Sequence, residues 1–279
     1  MMCISARITS ESKRGRMDIK YYFSGDREAR RKFAHVHTKE MEDNWGEEIA
    51  QTSENTVVYD DNYNFHKPRN LTDMSVILAA KGSVEAIFEQ AHQRTAVLNF
   101  ASYKEPGGKF FDGSRAQEEC LCAESYLYNV LRRHQYYYDW NKDQHLNRAQ
   151  YLNRALYSPN VVFFHSDQSM CCDVITCAAP NITPARKYGW NVSEAENLKN
   201  LESRIEFVLK VAADNYVDTL ILGAFGCGVF GQDAEQVCSL FLKHLQNYHC
   251  FSKVVFAVPQ DVHGENYNKF KKVLDNWRK

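Results

Sequence analysis

After Pro68 the chain settles into an alternation that few architectures can accommodate: short apolar runs of strand length, separated by segments of helical periodicity. The runs are "MSVILAA", "TAVLNFA", "NVVFFHS", "DVITCAA", "DTLILGAF" and "KVVFAVP". Between the first two lies "KGSVEAIFEQAHQR", where Val84, Ile87, Phe88 and Ala91 recur on one helical face. Further helices are expected over Ala116 to His134, Glu194 to Ala213 and Ala234 to Tyr248, with a last one from Glu265. Unbroken apolar strands are covered on both faces, so the pattern predicts an α/β fold whose mixed, mostly parallel sheet lies between layers of helices. The preceding residues are polar and charged, with a helix expected over Arg27 to Ile49 and an extended piece at Thr56 to Tyr59. The expected division is a basic arm and helical accessory segment over residues 1–70, followed by an α/β domain over residues 71–279.

Composition narrows the functional classes. A formal charge of −1 leaves no global field to steer a nucleic acid. The first forty residues carry ten Lys and Arg against five Asp and Glu, and that excess reads as a solvated arm. Tyr136, Tyr137, Tyr138 and Trp140 resemble a stacking surface for bases, but aromatics beside a helix are more often packing residues. No direct nucleic-acid readout is therefore expected. No run reaches the roughly 18 apolar residues of a membrane span, and the N-terminus lacks the apolar core of a signal peptide, so an intracellular protein, cytoplasmic or nuclear, is expected. The nine cysteines lack the paired spacing of a structural zinc site and read as reduced thiols.

Two strand-to-helix loops carry the functional signal, because ligands of open α/β sheets gather at the C-terminal ends of strands. The first, "PGGKFFDGSRAQEECLCAE", follows Asn99 and Phe100 and runs through Gly107, Gly108, Lys109 and Gly113 into a helix that starts with Gln117, Glu118 and Glu119. Glycines there let backbone amides approach a phosphate or a ribose, although an ordinary turn has the same composition. Two carboxylates in a first helical turn also complement the helix dipole. Their position beside a ligand cradle is what favours chemistry. The second loop, "LGAFGCGVFGQD", fits neither the P-loop nor the dinucleotide fingerprint, yet its position suits a diphosphate. Phe225 and Phe230 flank it, with core packing the simpler role for Phe225.

In this order, "VLNFASYKEPGGKFFDGSRAQEECLC", "YSPNVVFFHSD", "DVITCAAPN" and "LILGAFGCGVFGQD" resemble the microbial poly(ADP-ribose) glycohydrolases. That resemblance implies a three-layer α/β/α macrodomain with a helical N-terminal accessory segment. It also implies hydrolysis of ribose–ribose O-glycosidic bonds with release of ADP-ribose, acting from chain ends. By the same resemblance Glu119 is the catalytic acid, Glu118 a ligand of ribose hydroxyls at the scissile bond, and Gln117 a support of the acidic pair. Gly107 and Gly108 then line the ribose side, with Asn99 near the same sugar. Gly226, Cys227, Gly228 and Val229 present amides to the diphosphate, and Phe230 packs near the distal ribose. The family's third consecutive glycine is here Lys109, whose Cβ either narrows the loop or leaves the backbone path intact.

Cleavage at the ribose anomeric carbon passes through an oxocarbenium-like state, so a carboxyl group must protonate the leaving oxygen and then activate water. A helix N-terminus favours the ionised carboxylate; burial, a neighbouring carboxylate and an incoming diphosphate oppose it, and protonation is expected mainly in the complex. No metal or redox cofactor is required. The expected partner is ADP-ribose or poly(ADP-ribose) on a modified protein, met by a monomer. Two alternatives share the cradle: a hydrolase of mono-ADP-ribose linked to protein or nucleic acid, and a non-catalytic ADP-ribose-binding module, for which Lys109 is the motivating feature.

Overall fold

The computed structural model describes residues 18–66, 73–91, 94–143, 145–260 and 264–277. The basic residues before position 18 and the expected division at residue 70 lie outside the described residues.

Strands β1 (Val57–Asp60), β2 (Ser75–Ala79), β3 (Thr95–Phe100), β4 (Arg154–His165), β5 (Gln168–Cys177), β6 (Thr219–Leu222) and β7 (Lys253–Ala257) form one sheet in the order β1-β4-β5-β3-β6-β7-β2. β5, β3, β6, β7 and β2 run parallel, while β4 and β1 extend the sheet as antiparallel strands. The α/β fold with a mixed, mostly parallel sheet is thus as expected.

The helices are α1 (Lys20–Ser24), α2 (Arg27–Glu54), α3 (Ser83–Gln90), α4 (Gln117–Ala123), α5 (Leu127–Leu131), α6 (Gln135–Lys142), α7 (Thr183–Tyr188), α8 (Glu194–Asp214), α9 (Ala234–Leu245) and α10 (Glu265–Trp277). Strand side chains alternate between two cores, as the pleat requires. Ala96, Leu98, Leu220, Leu222, Val254 and Phe256 pack in the core that holds α8, α9 and α10. Val97, Ile221, Val255 and Ala257 pack in the core that holds α2 to α5. The sheet is therefore the middle of three layers.

The segment before β2 belongs to the same body. Tyr22, Phe33, Met41 and Ile49 of α1 and α2 are buried in the second core, and β1 pairs with β4 from Val57↔Tyr157 to Asp60↔Arg154. Asp26 caps α2 by accepting from the Ala29 N–H at 2.8 Å.

Two elements differ from their expected form. The helix expected over Ala116 to His134 breaks between α4 and α5, where Ser125 Oγ donates to Leu121 O at 2.6 Å and accepts from the Leu127 N–H at 3.0 Å. Ser125 there forms a bridge with Phe163, so its backbone serves β4 instead of the helix. The strand expected at "NVVFFHS" is the second half of a longer β4. Pro159 has no N–H for the ladder, the register shifts between Ser158 and Val161, and the Asn160 N–H is taken by Asp173 Oδ1 at 2.8 Å.

Candidate active site

The C-terminal ends of β3, β5 and β6 open onto three loops that pack against one another. At the end of β3, Asn99 is fully buried and its Nδ2 donates to Glu118 Oε1 and to Thr176 Oγ1 of β5, each at 3.3 Å. Gln117, the first residue of α4, clamps the helix to the strand: its Nε2 donates to Leu98 O at 2.8 Å and Ser83 Oγ at 3.0 Å, and its Oε1 accepts from the Phe100 N–H at 2.8 Å. The start of α4 is thereby fixed over the strand end.

Glu118 and Glu119 are both buried, 3% and 6% exposed, despite being carboxylates in a first helical turn. Glu118 Oε2 accepts from the Ser102 N–H at 2.7 Å. Glu119 Oε1 accepts from the Lys109 N–H at 2.9 Å and its Oε2 from the Ala116 N–H at 3.0 Å, so both of its oxygens are held by the loop's own backbone. Burial, with the Glu119 carboxylate beside it, pushes the Glu118 carboxyl from its ordinary 4.5 up to about 8, against the opposing bonds from Ser102 and Asn99. The protonated form of Glu118 is therefore favoured at neutral pH.

The two carboxyl groups converge on Gly108. A Cβ at that position would lie 2.8 Å from Glu118 Oε2 and 2.9 Å from Glu119 Oε1, and the residue adopts φ +59°. Gly107, at φ +66°, has no room either, because a Cβ would meet the Tyr128 ring at 2.7 Å. Lys109 is different. Its φ of −107° is ordinary for any L-residue and its side chain is exposed, while its N–H serves Glu119. A lysine in place of the third glycine thus keeps the backbone path.

The N-terminal helices brace this loop from outside. Arg27 Nε donates to Asp112 O at 2.8 Å, Arg30 Nε to Gly113 O at 2.7 Å, and Tyr22 Oη to Ser114 O at 2.7 Å. Arg115 reciprocates by donating to Phe23 O at 2.7 Å. Part of the basic excess read as a solvated arm therefore satisfies carbonyls of the glycine loop.

The loop after β6 is built the opposite way. Gly226 and Gly231 adopt φ +74° and +75°, and a Cβ at Gly226 would lie 2.7 Å from that of Ala179. Gln232, buried, donates to Pro180 O at 2.6 Å and exchanges hydrogen bonds with Asn197 at 2.9 Å, pinning this loop to the one after β5. The Cys227 N–H is spent on Ala224 O at 3.1 Å. The N–H groups of Gly226, Gly228 and Val229 make no hydrogen bond among the described residues, and a Cβ at Gly228 would meet nothing within 4 Å. Burial pushes the Cys227 thiol up to about 12, so it is not a nucleophile at neutral pH. Asp233 caps α9 and pairs with Lys269 at 3.0 Å, and Phe225 is core.

Phe230 is partly buried against the main core and against a small cluster of Tyr103, Ala149, Tyr151 and Ala178. Tyr103 comes from the first loop, and its ring stacks on Tyr151 with centroids 4.3 Å apart and planes at 12°. Sequence reasoning missed these two tyrosines and also Ser102 and Thr176. Ser102 acts through its main chain and the others through tertiary contacts, and neither leaves a local pattern. Of the aromatic stretch, Tyr137 and Tyr138 are buried as packing residues, while Trp140 and Tyr137 lie under the Arg154 guanidinium at 4.0 and 4.6 Å.

Among solved structures, poly(ADP-ribose) glycohydrolase from Deinococcus radiodurans in complex with ADP-ribose is 30% identical over 82% of this chain and 97% of its own, with a TM-score of 0.71. The family model for the microbial-type PARG catalytic domain matches residues 28–166, which include the first loop and both carboxylates. This chain belongs to the microbial-type poly(ADP-ribose) glycohydrolase family. The enzyme of that name from Thermomonospora curvata is 28% identical, covering 88% of this chain and 100% of its own, with a TM-score of 0.79. Its structure bound to the inhibitor ADP-HPD is 27% identical over 88% and 99%, with a TM-score of 0.75. No curated protein matches the sequence. Among the described residues no helix is long and apolar enough to cross a membrane.

Proposed function

We propose that this chain hydrolyses ribose–ribose O-glycosidic bonds of poly(ADP-ribose) and releases ADP-ribose, with Glu119 as general acid and then base. The observation that carries the reading is the convergence of two buried carboxyl groups on Gly108 after β3, in a protein whose loop after the neighbouring strand β6 leaves amides free for an anion. The relatives solved with ADP-ribose and with ADP-HPD support the same ligand class.

In this reading Glu118 Oε and Asn99 engage the hydroxyls of the distal ribose. Asn99 Oδ1 is buried and makes no hydrogen bond in the structure, so it offers an acceptor on that side. The amides of Gly226, Gly228 and Val229 take the diphosphate, with Cys227 contributing the shape of the turn through its bond to Ala224. Gly107 and Gly108 let the sugar approach the acids, Gln117 fixes α4, and Phe230 walls the distal ribose. Glu119 gives its proton to the departing oxygen in the complex and, ionised by that transfer, takes a proton from the water that attacks the anomeric carbon. The ligand's own negative charge at the diphosphate stabilises the sugar cation. Residues 1–70 act as an accessory segment whose helices hold the catalytic loop, and the chain works as a monomer inside a cell.

A non-catalytic binding module is disfavoured, because its motivating residue, Lys109, keeps the loop path and donates its N–H to Glu119. The test is release of ADP-ribose from poly(ADP-ribosyl)ated protein by the native chain beside Glu119→Gln. A loss of about 10²- to 10⁴-fold in the variant is expected for removal of a general acid. Equal rates in the two proteins would remove Glu119 from the mechanism, and no release by either would return the chain to the alternatives of a different linkage or a reader.

A further inference from the structure

The backbone just before Tyr151 is unusual. Asn147, Arg148 and Ala149 adopt φ of +42°, +52° and +62°, and Tyr151 itself +57°, none of them glycine. Left-handed conformations are costly for residues with a Cβ, and consecutive ones persist only where the surroundings over-determine them. Here they do. The Gln150 N–H donates to Asn147 O at 2.8 Å, the Tyr151 N–H to Leu146 O at 3.2 Å, and the Asn181 N–H to Ala149 O at 2.8 Å. Gln150 is fully buried and is held at both ends, donating to Asn181 O at 3.3 Å and accepting from Asn200 Nδ2 at 3.2 Å.

What this turn delivers is one flat ring. Tyr151, 7% exposed, lies face to face with Tyr103 of the catalytic loop and also meets Phe230 of the anion-binding loop, with centroids 6.1 Å apart at 59°. Tyr151 thus contacts both functional loops. The Phe230 side chain also packs at the edge of the main core, and its carbonyl accepts from the Ile182 N–H at 3.0 Å.

We propose that Tyr151 is a positioning residue: the left-handed turn before it sets its ring as a rigid floor that fixes Phe230 against the distal ribose and keeps the two loops in register. The inference rests on the assignment of Phe230 to that ribose. Tyr151 touches no substrate in this arrangement; it acts through the two rings it meets. Removal of the floor leaves the diphosphate amides untouched, so kcat falls more than KM rises.

A double-mutant cycle decides it. ADP-ribose affinity by calorimetry and ADP-ribose release from polymer are measured for the native chain, Tyr151→Leu, Phe230→Leu and the double variant, with a melting temperature for each. Each single change is expected to weaken ADP-ribose binding about 5-fold, from the size of aromatic-pair energies. The double variant should be no weaker than Phe230→Leu, and Tyr151→Phe, which keeps the ring, should restore binding. In polymer release, Tyr151→Leu should lose about 10- to 100-fold in kcat, the size of effect a small misplacement of reacting groups produces. Multiplicative losses in the double variant, or unchanged binding in Tyr151→Leu, would overturn the proposal. If Tyr151→Leu does not fold, Tyr103→Leu removes the other face of the stack and runs the same cycle with the same two outcomes. A native chain that binds ADP-ribose but releases none sinks the hydrolase reading alone, since the cycle on affinity still decides the role of Tyr151.

Discussion

The two glycine-bearing loops of this site do opposite jobs with the same residue. In the first, the backbone donates inward: Ser102, Lys109 and Ala116 spend their N–H groups on Glu118 and Glu119. In the second, side chains do the holding, through Gln232 and Asn197, and the amides of Gly226, Gly228 and Val229 are left over for a ligand. A buried carboxyl group must be hydrogen-bonded to be tolerated, whereas a diphosphate needs donors that nothing else has claimed. Glycine serves the first loop by making space beside acids and the second by turning the chain so that amides point outward.

If that contrast is right, substitutions in the two loops should separate chemistry from binding. The largest effect is expected for Gly108→Ala, whose Cβ would lie within 3 Å of both carboxyl groups at φ +59°. Turnover should fall by about 100-fold or more as the acids are displaced, with about 1–2 kcal/mol of stability lost to the left-handed strain. Initial rates at saturating polymer, read beside a denaturation curve, check both. Gly226→Ala meets Ala179 at 2.7 Å at φ +74° and should instead lower ADP-ribose affinity, by about 10-fold, with the smaller change in kcat. A fall in kcat as large as that of Gly108→Ala would erase the division of labour.

Glu118→Gln probes the cost of the first loop's design. The folded-state value of about 8 exceeds the ordinary 4.5, so between those pH values the native chain binds more protons than the unfolded one. Stability from this group is therefore greatest at pH below 4.5 and is lost as pH rises through about 8. The amide variant should be more stable than the native chain at pH 9 by on the order of 1–3 kcal/mol, with the gap closing towards pH 5. A gap that stays constant across that range would place the burial cost elsewhere. The smallest effects belong to Lys109→Gly and Gly228→Ala. Lys109→Gly should leave turnover within about 3-fold, since only its N–H serves the acid and its φ needs no glycine. Gly228→Ala, with nothing within 4 Å of the new Cβ, should leave melting within about 0.5 kcal/mol of the native value. A lowered ADP-ribose affinity in that otherwise stable variant would sharpen the assignment of this turn to the diphosphate.

Much of this was legible in one dimension. The parallel strands announce themselves because burial on both faces demands continuous apolar residues, as in Thr95–Phe100 and Thr219–Leu222. The Gln117-Glu118-Glu119 triplet is legible because a strand end, a glycine loop and a helix start are adjacent in sequence as well as in space. Boundaries were harder wherever a side chain competes with the backbone, as Ser125 does in ending α4 and as Pro159 does in bulging β4.

What the sequence by itself determined is the layer order, the two loops and the pairing of Glu118 with Glu119, all consequences of local periodicity and short-range adjacency. Only the tertiary structure decided that Glu118 is buried deeply enough to favour its protonated form, that Lys109 sits at a φ needing no glycine, and that Arg27 and Arg30 brace the first glycine loop from a helix more than eighty residues earlier in the chain. It alone placed Tyr151 against both Tyr103 and Phe230. Solvent exclusion and backbone conformation are properties of the assembled molecule: they depend on which distant groups arrive at one place, and no window of neighbouring residues contains them.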